Sequence, residues 1–187
     1  MLKDILIKSA ELLNRDDIIN EINDPSQSEN TSLKNDICRL ISYFNYTVQF
    51  LCEKFFPIEM VDTISSDKNR KIYYNFFSAE PLNIISVEAD DKLYNFSEHT
   101  TYITVPIQEK LFKIKYNFLP QPAKDIYSPY CIPAKINQKI IIYGIVSEFC
   151  ASKNHYEESN YWHNKYMFEI YKSKTNSNKR MKATFTL

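Results

Sequence analysis

The chain has 187 residues, 44% of them hydrophobic and 25% charged, with 23 basic and 23 acidic side chains that cancel to a formal net charge of zero. That is ordinary globular usage, enough for one core or two small ones, and the neutral balance gives no bulk attraction to nucleic acid or an anionic membrane. A single glycine, Gly144, excludes Walker loops, dinucleotide fingerprints and nucleophile elbows, which need several glycines at fixed spacing.

The first residues carry Lys3 and Asp4 within an apolar run and lack a cleavage site of small residues, so they read as helix rather than signal peptide. No run approaches the roughly 18 apolar residues that span a bilayer. The expectation is a soluble chain without a membrane partner, made in a cytoplasm. Cys38, Cys52, Cys131 and Cys150 lie far apart with no C-x-x-C pair. They are expected as reduced thiols, at least two of them serving as small hydrophobes on helix faces.

In chain order, 1–13 and 16–23 read as short helices, the first with Leu2, Leu6, Ala10 and Leu13 on one face. Residues 23–31 are polar, include Pro25 and read as a loop. A long helix follows, expected to be capped by Thr31 or Ser32. Leu33, Ile37, Leu40, Ile41, Phe44, Val48, Leu51 and Phe55 keep a period near 3.6 until Pro57 stops it.

From 58 to 118 the period becomes two. Ile72, Tyr74 and Phe76 alternate with Tyr73, Asn75 and Phe77, and Ile85, Val87 and Ala89 alternate with Ile84, Ser86 and Glu88. Asp90-Asp91-Lys92 suits a tight turn before Leu93. Residues 102–105 form a further short strand. Phe112, Ile114, Tyr116 and Phe118 face inward between Lys113, Lys115 and Asn117. Five or six short antiparallel strands with one wet face are expected.

Pro120, Pro122 and Pro133 bracket an irregular crossing. Helix resumes near 134, runs to 152, breaks at Lys153-Asn154 and returns from 156 to 171. A basic tail follows, with Ala183-Thr184-Phe185-Thr186-Leu187 read as a terminal strand. The organisation is therefore N-terminal helices (1–56), an inserted β-domain (57–120), C-terminal helices (121–172) and a tail (173–187). The fold class is α+β: a helical bundle with an inserted small antiparallel β-sheet or sandwich and a C-terminal helical hairpin.

Gly144 sits in the apolar run 140–150, where a mid-helix glycine costs about 1 kcal/mol relative to alanine. Its expected use is close approach of another helix. Ser147 and Ala151 extend it into a small-residue stripe at spacings of three and four, facing the helix that bears Trp162 and Tyr166. Cys150, His155, Glu158 and His163 carry metal-ligand chemistry, but their spacing matches no zinc motif and no cysteine pair completes it. Neither a metal nor a cofactor is expected. Asp16-Asp17 suits a helix start. The tail cations Lys174, Lys179, Arg180 and Lys182 could touch phosphates or an acidic groove. Most of the 14 tyrosines and 12 phenylalanines must be core, but a surplus of tyrosine on small strands and loops is also what interfaces favour.

From Tyr116 onward the order is Tyr116-Asn117-Phe118-Leu119-Pro120, a loop with Asp125 and Tyr127, Pro133, then Tyr143-Gly144-Ile145-Val146-Ser147-Glu148-Phe149-Cys150. Tyr156-Glu157-Glu158, Trp162 and Tyr166 follow. This order resembles the head–tail connector (neck or adaptor) proteins of tailed bacteriophages, in detail over roughly the last 70 residues and as element order before them. In that group a glycine-bearing helix precedes one whose tryptophan and tyrosine pack back on it, and a basic segment leads to the C-terminus. Ser147 departs from the alanine more usual there.

The resemblance implies a structural virion protein without catalysis. It would form a homo-oligomeric ring, typically of twelve copies, that docks on the portal protein, contacts adjacent neck or tail proteins and lets DNA pass. A neutral chain suits that passive contact, because strong basicity would hold DNA through counterion release. The tail, through Lys174, Lys179, Arg180, Lys182, Phe185 and Leu187, is the expected docking element. Other readings are a virion completion or closure factor, a cytosolic protein-binding regulator, and a metal- or thiol-dependent enzyme using the Cys150 group.

Overall fold

The computed structural model describes residues 2–25, 30–133 and 136–182, the stretch 176–182 by its helical backbone alone. The fold is α+β, and the chain divides into a helical unit, built before and after the insertion, and a β unit, Pro57–Leu119.

The helical unit contains α1 (Leu2–Leu12), α2 (Asp16–Asn23), α3 (Thr31–Lys54), α4 (Gln138–Ser152) and α5 (Tyr156–Lys182). α1 buries Leu2, Ile5, Leu6 and Ala10, and α3 buries Leu33, Leu40, Ile41, Phe44, Val48 and Leu51, the stripes their periodicity marks. The cap of α3 is Asn30, not Thr31 or Ser32. Its carboxamide oxygen accepts from the Ser32 and Leu33 N–H groups at 3.1 and 3.3 Å, so Thr31 becomes the first helical residue. α4 starts at Gln138 rather than near 134, because the Asn137 side chain accepts from the Lys139 N–H at 3.0 Å.

α5 also differs from the expected helix ending at 171. It continues to Lys182, carrying Lys174, Lys179, Arg180 and Lys182 on a helix rather than on an irregular tail. Nothing between 171 and 182 breaks a helix, and cations near the C-terminus suit its dipole. Phe185, Leu187 and the expected strand 183–187 lie outside the described residues.

Two helix junctions share one geometry. After α1, the Asn14 N–H donates to the Glu11 carbonyl and the Arg15 N–H to the Ala10 carbonyl. After α4, the Asn154 N–H donates to Ala151 and the His155 N–H to Cys150 in the same pattern. Both are Schellman endings, which need a left-handed residue. Asparagine supplies it at φ 54° and 64°, where a chain with more glycine would use glycine.

In the β unit a four-stranded sheet has the order β1-β7-β3-β4, from β1 (Ile58–Ser65), β7 (Leu111–Phe118), β3 (Pro81–Ala89) and β4 (Lys92–Tyr94). A three-stranded sheet has the order β2-β6-β5, from β2 (Lys71–Tyr73), β6 (Tyr102–Thr104) and β5 (Ser97–Glu98). Every strand pair is antiparallel. Phe112, Ile114 and Tyr116 are buried in one cluster with Ile72, Val87 and Ile103.

Two expectations shift here. Tyr74–Phe76 forms a 3₁₀ turn, so the first alternating run ends at Tyr73. In β3 the pairing slips between Ile84 and Ser86, which places Ile84, Val87 and Ala89 inside and leaves Ile85 41% exposed. The added residue of a bulge reverses the facing of everything before it. The turn between β3 and β4 is the expected Asp90-Asp91, both at positive φ (49° and 57°), the shape of a two-residue type I′ hairpin.

Candidate functional site

α4 is the most buried helix of the helical unit, and Gly144 is a point of close approach on it. A Cβ at Gly144 would lie 2.6 Å from Cγ2 and 2.9 Å from Oγ1 of Thr47, and 3.2 Å from a ring carbon of Tyr166. The nearest neighbour is thus α3, through a buried threonine; α5 comes second. Ser147 is buried and donates to the Ser159 carbonyl at 3.1 Å, tying the stripe to the start of α5. Ala151 is half-buried. Tyr166 is buried, and burial raises its phenol well above the ordinary range. Trp162 lies against Tyr143 rather than the glycine, ring centroids 5.4 Å apart, with the Lys165 ammonium 4.8 Å from its ring centre.

The metal-type residues do not converge. Glu158 Oε2 stands 3.8 Å from Cys150 Sγ and 3.6 Å from His155 Nδ1, whereas His163 lies beside Tyr166, ring centroids 6.1 Å apart. Among the described residues no group of three or more His, Cys, Asp and Glu side chains is arranged to hold a metal. Burial, with Glu158 nearby, pushes the Cys150 thiol up to about 11. It is therefore protonated at neutral pH, whereas nucleophilic chemistry requires the thiolate. All four cysteines are free. Cys150, His155 and Glu158 line a cavity of about 530 Å³ with Leu12, Arg15 and Trp162.

Beside that cavity Asp36, 5% exposed, gathers three cations. Lys153 Nζ is 2.9 Å away, Arg15 Nη1 3.0 Å and Arg39 Nη1 3.4 Å. Burial works to raise its pKa, but hydrogen bonds from Lys153 and Arg15 hold it below the usual carboxylate range. Arg15 also forks onto Asp17 with two 2.8 Å contacts. The Schellman turns deliver Arg15 and Lys153, one at each junction, so this hub fastens the two hairpins to α3.

A second fastener holds the proline-rich crossing. The Asn45 side chain donates to the Ala123 carbonyl at 2.9 Å and accepts from the Ala123 N–H at 2.8 Å. Sequence reading passed over Asp36 and Asn45, since both are single polar residues on a long amphipathic helix. Their one signal is position: each falls within or beside the apolar stripe of α3 instead of on its wet face.

The described residues define an α+β protein whose distinctive side chains lock helices together. No protein-family model matches the chain, and comparison with curated proteins finds no match. No helix among the described residues is long and apolar enough to cross a membrane.

Proposed function

We propose that this chain is a structural virion protein without catalysis, a head–tail connector that forms a ring and docks on a portal to join capsid and tail.

 The observation that carries the reading is the pairing of the last two helices. A glycine-bearing helix is followed by one whose Tyr166 packs back on Gly144 and whose Trp162 packs on the adjacent Tyr143. The β-insertion between the two halves of the helical unit supports it as element order.

In this reading the ring is homo-oligomeric, of about twelve copies as the resemblance implies. It is made in the host cytoplasm, incorporated into the virion, and touches adjacent neck or tail proteins and passing DNA without reading sequence. The basic end of α5 is the docking element. Residues 172–182 contain Lys172, Lys174, Lys179, Arg180 and Lys182 and no acid.

Negative-stain microscopy and mass measurement of the purified chain, alone and with portal rings from the same phage, test this. A ring seated on the portal is expected, and deletion of 174–187 should abolish docking while the helical circular-dichroism signal stays near that of the parent. A chain that ignores the portal at tens of micromolar overturns the reading. A truncated chain that still docks removes the role of the α5 end.

A further inference from the structure

α5 carries two stripes. One packs inward through Tyr166 and Ile170, both buried. The other points to solvent and holds Tyr161, Phe168 and Tyr171 at 54%, 65% and 58% exposure. Glu157, Tyr161, Asn164, Phe168 and Tyr171 follow one another at spacings of four, three, four and three, the seam of a helix that packs against another helix. All five are exposed, although the Tyr171 ring meets Phe55 at the end of α3 edge-on, centroids 6.5 Å apart.

The charges at the two ends of the seam identify its occupant. Acid lies in the first turn, at Glu157 and Glu158, and Lys172 lies at the other end, 56% exposed. Turned end for end, a second α5 places its Lys172 opposite Glu157, and two-fold symmetry makes that contact twice. The helix dipoles then also lie antiparallel, the positive end of each beside the negative end of the other. A parallel copy would set like charges against each other. Lys172 already faces Glu169 of its own helix at 3.5 Å, but an exposed pair of this kind is weak and leaves the ammonium free to turn.

We propose that the exposed stripe of α5 is a two-fold, antiparallel docking surface for a second copy of this chain, with Tyr161 and Phe168 at its centre and Glu157–Lys172 pairs at its ends. A two-fold contact closes on itself and does not propagate a ring, so this dimer is separate from the connector reading and survives its failure.

Sedimentation of the full-length chain between 1 and about 100 µM tests it, with helical circular dichroism as the check on folding. The parent should dimerise, and Phe168→Glu should be monomeric throughout with the same helical signal. Glu157→Lys and Lys172→Glu should each raise the dimer Kd about tenfold, and the double exchange should bring it back to within a few-fold of the parent. A parent that stays monomeric at 100 µM overturns the proposal, as does a Phe168→Glu chain that still dimerises. Failure of the double exchange to recover affinity overturns the antiparallel arrangement. Portal binding, measured separately, reads the connector proposal alone.

Discussion

The helical unit and the β unit solve the same problem with different means. The β unit is held by alternation: Phe112, Ile114 and Tyr116 of its central strand enter one apolar cluster, and its buried tyrosine is anchored at the margin. The Tyr116 hydroxyl donates to Asp62 at 2.8 Å and accepts from the Ala79 N–H at 3.3 Å, and burial together with Asp62 pushes the phenol up to about 12. The helical unit has apolar stripes too, yet the angles between its helices rest on point fasteners: the Asp36 hub, the Asn45 clamp and the bare backbone of Gly144. A strand's register is enforced by every second residue. A helix can rotate or slide against its neighbour by small steps, so single contacts decide where it stops.

That contrast is broken most strongly at Asp36. Asp36→Ala should destabilise the helical unit by about 2–3 kcal/mol, below the usual cost of breaking a buried pair because the three cations are partly in water. Trp162, the only tryptophan, reports this unit by its fluorescence during denaturation. The pH dependence follows from the lowered pKa. The contribution is complete above the unfolded carboxylate value near ~4 and is lost as pH falls through the lower folded value. Melting curves from pH 7 to pH 3 should therefore fall more steeply for the parent than for Asp36→Asn. Parallel curves would remove the hub from the account.

A smaller effect is expected at Gly144. Alanine gains about 1 kcal/mol of helix propensity but drives a Cβ to 2.6 Å from the buried Thr47 methyl. Overpacking of that kind costs about 1–3 kcal/mol, for a net loss of about 1 kcal/mol. Thr47→Ala removes the two nearest atoms and leaves the Tyr166 ring carbon at 3.2 Å, so Gly144→Ala should cost clearly less in that background. A double-mutant cycle measures the difference, and additive effects would place the constraint elsewhere. The smallest change tests the β unit. Asp91→Gly relieves a left-handed aspartate and should stabilise the hairpin by about 0.5 kcal/mol, read by hydrogen exchange at Val87 and Tyr94 while Trp162 fluorescence is unchanged.

Much of this fold is legible in the residues. The stripe of α3, the alternation of β7, the stop before Pro57 and the Asp90-Asp91 turn are local patterns with local causes. The misplacements have identifiable sources. Asn30 and Asn137 set the helix starts because their carboxamide oxygens accept from free N–H groups of the first turn, Ser32 and Leu33 in one case and Lys139 in the other. The bulge at Ile84–Ser86 is invisible in an apolar run whose residues suit either face. The basic stretch after Tyr171 reads as a tail by charge, yet contains nothing that ends a helix.

The candidate site divides the same way. Residue types and spacing mark Gly144 as a point of close approach, because a lone glycine within an apolar helix has few other uses. Which helix comes near is a matter of three-dimensional packing: Thr47 is 97 positions away in the chain, and nothing local couples the two. Likewise, sequence determined that Asp36, Arg15 and Lys153 carry charge, and only tertiary structure brought three cations to one buried carboxylate. Short-range physics fixes helices, strands and turns from neighbouring residues. The meeting of distant side chains depends on how those elements pack, and that is where this protein's fasteners and its exposed helix face were decided.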